Sequence, residues 1–190
     1  MSIKPAPTTV QLARSDPYYL APFDKVMAFV VAQWAQDDRE LFWLAPKTTH
    51  PLTATKVVAW PGPDGQSILF HQDNLVEPLG YLELNPMPGQ TLHAWVGHCI
   101  LRPEQRGMGL GTRMVRLALK VAFVRRRMNR VSLVVFPDNI AAIYCYRSVG
   151  FLDAGEQTKY FHRTGREHRM LQMTIDLGRY RSLYGIQDTH

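Results

Sequence analysis

Apolar residues recur at helical spacing between Asp24 and Trp34, where Val26, Met27, Phe29, Val30, Val31 and Trp34 predict a helix with a wide buried face and Asp24 as its cap. A second helix is expected over Asp37 to Leu44, halted ahead of Pro46. A third is expected from Thr53 through Trp60, where Pro61-Gly62-Pro63 ends it. The period then changes. Ser67 to His71 and Pro78 to Leu84 are short runs of strand character parted by Gln72-Asp73-Asn74, the pattern of two strands in a hairpin. Leu92 to Leu101 is a further apolar run, closed by Arg102-Pro103.

From Leu110 the pattern is helical again, with Leu110, Met114, Leu117, Ala118, Val121, Ala122 and Val124 on one side until Arg125. Val131 to Phe136 is continuously apolar apart from Ser132, which predicts a strand buried on both faces. Asn139 to Val149 reads as a helix ending at Gly150, a natural C-cap. Gln157 to Arg163 and Glu167 to Ile175 flank Thr164-Gly165 as a terminal hairpin. A short strand is expected around Val10 to Ala13. Residues 1–15 read as a loose N-terminal segment, 16–177 as a single domain, and 178–190 as a tail. Helices, then strands, then strands interleaved with helices imply an α+β fold with a mixed sheet.

Composition narrows the class. A chain of 190 residues with 46% hydrophobic and 20% charged residues holds one ordinary core and excludes a disordered or collagen-like protein. Twenty-two Lys and Arg against 16 Asp and Glu leave a net charge of +6, which favours an anionic partner. Cys99 and Cys145 are too few for a disulfide framework and lack zinc-site spacing, so a reducing compartment is expected. The longest apolar run, Val26 to Ala32, falls far below the ~20 residues of a membrane span. The N-terminal residues lack a secretory pattern, and a cytoplasmic location without a membrane partner follows as an expectation.

The chemistry concentrates in Arg106-Gly107-Met108-Gly109-Leu110-Gly111-Thr112, which joins a predicted strand to a predicted helix. Glycine admits positive φ and close approach to the backbone, and the N–H groups of a helix start point outward, so this loop suits an anion. Arg106 would add a mobile positive charge. A nucleoside-triphosphate loop would need Lys and then Ser or Thr after its last glycine, whereas Gly111 is followed by Thr112-Arg113. A dinucleotide fingerprint would need Gly-x-Gly-x-x-Gly and an acid ~20 residues on; here the first acid after the glycines is Asp138.

The loop matches the Arg/Gln-x-x-Gly-x-Gly/Ala signature of the GNAT superfamily of N-acetyltransferases. A second signature of that family, Asn-x-x-Ala-x-x-x-Tyr-x-x-x-Gly-Phe, is similar to Asn139, Ala142, Tyr146, Gly150 and Phe151. The chain therefore resembles that superfamily over about residues 78–175. The resemblance implies an α+β (mixed αβα) fold, with a central, mostly antiparallel sheet of about six or seven strands flanked by helices. It also implies acetyl-coenzyme A as co-substrate and direct transfer to a primary amine; no metal is expected, because the seven His show no His-Glu-x-x-His pattern. Cys99, Ile100 and Leu101 would lie along the pantetheine arm, with residues Arg106 to Thr112 on the pyrophosphate and Tyr146 beside the sulfur as general acid. Asn139 would contact the pantetheine arm or cap its helix.

Acetyl transfer also needs a base. Glu83, an acid inside a predicted strand, faces either a cleft or solvent, and His98 stands beside the presumed opening with a side chain that titrates near ~6.5 when unperturbed. Tyr144, on another helix face, serves as an internal control for Tyr146. The acceptor is expected to be a small molecule, an amino acid or a protein N-terminus, and the assembly a monomer or homodimer. Arg125-Arg126-Arg127 and Arg130 complement a helix C-terminus, so a nucleic-acid partner is not expected. The alternative reading is a non-catalytic acyl-coenzyme A sensor or a nucleic-acid- or ribosome-associated adaptor on the same fold.

Overall fold

The computed structural model describes residues 10–62 and 64–185. The expectations for residues 1–8 and 186–190 lie outside that range. Among the described residues eight strands form one sheet in the order β1-β2-β3-β4-β5-β6-β8-β7. The strands are β1 (Ala13–Ser15), β2 (Tyr18–Pro22), β3 (Gln66–Gln72), β4 (Gly80–Pro86), β5 (His93–Leu101), β6 (Arg130–Val135), β7 (Leu152–Phe161) and β8 (Arg166–Asp176). Every neighbouring pair is antiparallel except β5 with β6. The mixed, mostly antiparallel sheet of the expected α+β fold is present, with eight strands where six or seven were anticipated.

Among the described residues six α-helices cover it: α1 (Ala28–Val31), α2 (Asp38–Leu44), α3 (Ala54–Val58), α4 (Leu110–Lys120), α5 (Ile140–Ser148) and α6 (Leu177–Tyr184). Caps set several of their starts. The Asp37 carboxylate accepts from Glu40 N at 2.7 Å, Thr53 Oγ1 from Lys56 N at 3.4 Å, and Asp176 from Arg179 N at 2.7 Å.

One face of the sheet carries a single continuous core beneath α4, α5 and α6. It includes Leu82, Leu84, Met114, Ala118, Leu133, Tyr146, Met173 and Tyr180. The other face is divided. Ala28, Val31, Trp34, Val57, Leu69, Tyr81 and Ile100 pack beneath α1 and α3, whereas Phe136, Phe161 and Met170 form a separate cluster across the sheet. The α2 helix joins the two, lending Leu44 to the first and Phe42 and Trp43 to the second.

Several expectations change. The wide helix from Asp24 to Trp34 is a single 3-10 turn, Lys25–Met27, followed by the four-residue α1, and Val26 and Phe29 face solvent. Its apolar pattern reflects a compact turn that anchors Ala28, Val31 and Trp34. The first strand falls at Ala13–Ser15, and β2 was missed because Tyr18–Pro22 is short and bounded by two prolines. The helix expected to reach Val124 ends at Lys120 and continues as a π-turn, Val121–Arg125, that leaves Val124 exposed. The β6 strand alternates between buried and half-buried residues. The β7 strand begins at Leu152 rather than Gln157. The stretch from Gly178, read as a tail, belongs to α6, which buries Tyr180 against Phe123 at 4.7 Å between ring centroids. Gly150 does follow α5, at φ +103°, where any side chain would overlap Leu183 and Ile175.

Candidate functional site

The strands β5 and β6 pair only where His93, Ala94 and Trp95 meet Arg130, Val131 and Ser132. Beyond Trp95 the two diverge, β5 staying with β4 and β6 with β8, so the sheet opens into a gap. Arg102 N donates to Leu79 O at 2.9 Å, and strand alternation then turns the main chain of Ile100 toward β4 and those of Cys99 and Leu101 toward the gap. Ile100, grouped with them in the sequence reading, thus offers the gap no main-chain donor, and its side chain belongs to the core beneath α1 and α3.

A bulge shapes this part of β5. Tyr81 pairs with Ile100 but Glu83 with Gly97, so His98 and Cys99 together oppose Leu82, and His98 takes φ +41°. The extra residue keeps His98 on the face of Gly97 and Glu83, and ordinary alternation turns Cys99 to the other face. Cys99 packs into the core under α4 and α5, whereas His98 stacks on Trp60 at 4.5 Å and 2° on the α3 side.

The glycine loop closes one end of the gap. After a turn at Pro103–Gln105, Gly107 and Gly109 both adopt φ +74°, and a Cβ on either would meet nothing within 4 Å. The loop therefore has an open concave side. The first intrahelical donor of α4 is Arg113, to Gly109 O at 3.3 Å, which leaves the N–H groups of Leu110, Gly111 and Thr112 ahead of the helical ladder. These donors and the helix dipole fit a pyrophosphate. Met108 is exposed at the loop tip. The Thr112 hydroxyl is taken by Ser148 Oγ at 3.2 Å, so only its main chain is available to a ligand.

Arg106 departs from its expected role as a mobile charge. Its guanidinium donates to Glu40 Oε1 and Trp34 O, each at 2.7 Å, and to Leu101 O at 3.2 Å. It ties the loop to α2 and the Trp34 turn. Asn139 caps α5, its side-chain oxygen accepting from Ala142 N at 3.2 Å.

Tyr146 is buried, edge-on to Phe151, with its hydroxyl in hydrogen-bonding contact with Cys99. Burial and the neighbouring Cys99 and Cys145 hold the phenol well above its ordinary pKa. Burial likewise pushes the Cys99 thiol up to about 12. Both stay protonated at neutral pH, as does Cys145, whose pKa burial also raises. Tyr144 is exposed, as a control residue should be.

Glu83 and His98, proposed from sequence as alternative bases, are neighbours. Glu83 is 1% exposed, accepts from Tyr81 Oη at 2.8 Å and from Asn85 Nδ2 at 2.9 Å, and its Oε2 lies 3.0 Å from His98 Nδ1. The His98 ring nitrogen is close to the carboxylate but off the line of an aligned hydrogen bond. Burial alone would raise the Glu83 pKa, but the closeness of His98 and the hydrogen bonds from Asn85 and Tyr81 prevail and hold the carboxyl below its ordinary value. Ser67 Oγ, 2.8 Å from the Tyr81 hydroxyl, extends the network. Sequence pattern signalled Glu83 and His98 but not Tyr81, Ser67, Asn85 or Trp60, whose roles depend on cross-strand register.

The α2 helix spans the gap on this face. Besides Glu40 on Arg106, Asp38 Oδ1 meets Arg163 at 3.1 Å, and Trp43 Nε1 and Arg39 hold Asp138 at 3.0 and 3.1 Å. Phe42 packs 4.9 Å from Phe136. Beside Trp60 lies a cleft of 280 Å³ lined by Lys47, Thr48, Thr49, Lys56, Ala59 and Trp60.

A sheet split at one parallel pair, with a glycine loop leading into a helix at the end of the split, defines an acetyltransferase-type fold. Residues 10–151 match the model of the acetyltransferase (GNAT) family, and the chain belongs to that family. It is similar to the spermidine N(1)-acetyltransferase of Escherichia coli K12, 34% identical over 76 residues, which are 40% of this chain and 41% of that one. The corresponding Vibrio cholerae enzyme is 27% identical over 81 residues, 43% of this chain and 47% of the relative. The chain thus matches less than half the length of these relatives. Among solved structures, the Vibrio cholerae spermidine N-acetyltransferase in complex with CoA and spermine superposes with a TM-score of 0.70 at 18% identity, over 87% of this chain and 99% of that one. The ribosomal-protein-S5-alanine acetyltransferase of Vibrio fischeri gives 0.67 at 17% identity, over 86% and 94%. At such identities these likenesses concern the fold. Among the described residues no helix is long and apolar enough to cross a membrane.

Proposed function

We propose that the chain is an N-acetyltransferase that moves an acetyl group from acetyl-coenzyme A directly to a primary amine in a ternary complex. The observation that carries this reading is the bulge at His98 and Cys99. It puts a titratable imidazole on the α3 side of the sheet and the Cys99–Tyr146 contact on the α5 side, at the edge of one gap.

Acetyl-coenzyme A, when bound, supplies the thioester. The N–H groups of Leu110, Gly111 and Thr112 hold its pyrophosphate, and the main chain of Leu101 and Cys99 faces the pantetheine arm and the thioester oxygen. His98 takes the proton of the acceptor ammonium. Glu83, shut away from solvent and already accepting two hydrogen bonds, is too enclosed to reach the amine and stabilises the imidazolium as a positioning residue. Tyr146 retains its proton until a thiolate develops beside it and then donates.

Charge on the α1–α3 face speaks to the acceptor. Glu40, Asp38, Asp138 and Glu83 are each paired with Arg106, Arg163, Arg39 and His98, so none is left to hold a polycation. Lys47 and Lys56 border the cleft at Trp60. An amine on a neutral or anionic carrier fits better: an amino acid, a small molecule or a protein N-terminus. An α-amino group, with pKa ~8, also demands less of an imidazole base than a lysine side chain at ~10.4. The test is thiol release from acetyl-coenzyme A across amino acids, N-terminal peptides, amine-bearing small molecules, polyamines and polylysine. Spermidine or polylysine as best acceptor by kcat/KM would overturn the acceptor class, and no release with any amine would overturn the enzyme.

A further inference from the structure

From Gln105 to Pro137 the chain holds eight Lys and Arg and no Asp or Glu, so the remaining residues carry a net charge of −2 (6 less 8). The positive charge of the whole protein is thus concentrated in one stretch, the glycine loop, α4 and the turn into β6. Of the eight, Arg106 is bound to Glu40, and Arg126 is half-buried, donating to Leu84 O at 2.9 Å and to Gln66. Arg113 adjoins the glycine loop and is left with it. Arg116, Lys120, Arg125, Arg127 and Arg130 remain, all exposed.

Among the described residues none of these five has a carboxylate within ion-pair distance. Five arginines elsewhere on the surface do: Arg14 with Asp73, Arg39 with Asp138, Arg102 with Glu77, Arg147 with Asp153 and Arg169 with Glu156. The helix dipole accounts for Arg125 and Arg127 at the C-terminal end but not for Arg116, which stands mid-helix, outside the end turns where the dipole acts. The expectation drawn from sequence, that this cluster only complements the dipole, therefore covers part of the row.

We propose that the outer face of α4, with the turn that follows it into β6, docks the phosphodiester backbone of a duplex nucleic acid. The part of the row from Arg116 to Arg125 runs about 13 Å along the helix, and a duplex presents one negative charge per ~1.7 Å of axis. Arginine, four of the five, suits phosphate because its planar fork binds two oxygens at once. Tyr18 and Tyr184 lie beneath Arg113 and Arg116 at 5.3 and 5.4 Å, occupied by the guanidinium groups rather than free to stack on bases, which favours a duplex over a single strand. Val124 is the exposed large apolar residue of this face, too little for insertion into a lipid surface.

The test is equilibrium binding of the full chain, with saturating acetyl-coenzyme A, to a labelled 20-base-pair RNA duplex and to its DNA equivalent between 50 and 200 mM salt. Five phosphate contacts at ~0.9 each predict that affinity falls about 500-fold over that range. The triple variant Lys120→Gln, Arg125→Gln, Arg127→Gln keeps two and should fall only about 12-fold. An unchanged thermal shift with acetyl-coenzyme A checks that the variant is folded. The tighter duplex identifies the source of the phosphates. The proposal is overturned if neither duplex binds at 50 mM salt, or if the variant keeps the wild-type salt slope. Equal binding of polyglutamate or phosphatidylserine vesicles would also overturn it, as would binding seen only without acetyl-coenzyme A.

Discussion

Replacing Gly109 by valine separates backbone strain from ligand contact, because the structure supplies a matched control. Gly109 and Gly89 hold nearly the same left-handed conformation, φ +74° and +71°, and a Cβ on either meets nothing within 4 Å. Valine at either position is therefore strained but not crowded, a loss of about 1–2 kcal/mol. For a chain of this size that lowers Tm by about 2–8 °C in both variants. Their response to ligand should differ. Acetyl-coenzyme A at a hundred times its Kd stabilises the folded state by about 2.7 kcal/mol, which raises Tm by about 5–11 °C. The Gly89→Val protein should show that full rise. In Gly109→Val the side chain occupies the open side of the loop, the phosphates lose their approach to the N–H groups of Leu110 to Thr112, and the rise should vanish. Differential scanning calorimetry with and without ligand measures both quantities. A full rise in Gly109→Val, or its loss in both variants, would refute the phosphate loop.

Tyr146→Phe should lower kcat about 10²-fold or more with little change in acetyl-coenzyme A affinity, and Tyr144→Phe should be nearly silent; equal effects in steady-state kinetics would return Tyr146 to a packing role. Arg106→Gln should lower stability by about 1–3 kcal/mol, as three contacts are lost from a side chain one-third exposed. Its KM for acetyl-coenzyme A should stay near wild type, and a large KM rise at unchanged Tm would restore Arg106 to the phosphates. Glu83 titrates lower in the folded chain than unfolded, so its ionised form stabilises the fold above the unfolded value of about 4.3, a contribution lost as pH falls through the lower folded value. Glu83→Gln should therefore flatten the acid limb of Tm against pH, and an identical limb in both proteins would contradict the pairing.

What could be read in advance divides along physical lines. Period and punctuation located β3, β4, β5, α2, α4, α5 and β8 to within a few residues, because each buries one face and ends at a Pro, Gly or capping side chain. Local pattern failed where tertiary packing decides: α1 is a turn despite its apolar run, and α6 forms because Tyr180 docks on Phe123. The loop glycines were legible because φ and approach restrict those positions to glycine. The pairing of Glu83 with His98 was not, since it depends on a one-residue slip in register between β4 and β5. Arg106 misled for a similar reason: its partner Glu40 is 66 residues away, and nothing local announces it.

The gap between β5 and β6 gives this sheet four edges instead of two. The outer pair follows the usual precautions: β1 has three residues, and β7 is kinked by a bulge at Gly155 and carries Glu156 and Lys159. The inner pair has the β5 bulge at His98 and Cys99 but is otherwise apolar, with Leu133 and Val135 on one side and Ile100 and Leu101 on the other, so most of its cover must come from elsewhere. Its protection is borrowed from α2, seven residues long and pinned through Arg106, Arg163 and Asp138. The main-chain donors of a working cleft are thereby kept from becoming a template for another chain's strand. Any variant that frees α2 should be judged first by aggregation, before activity.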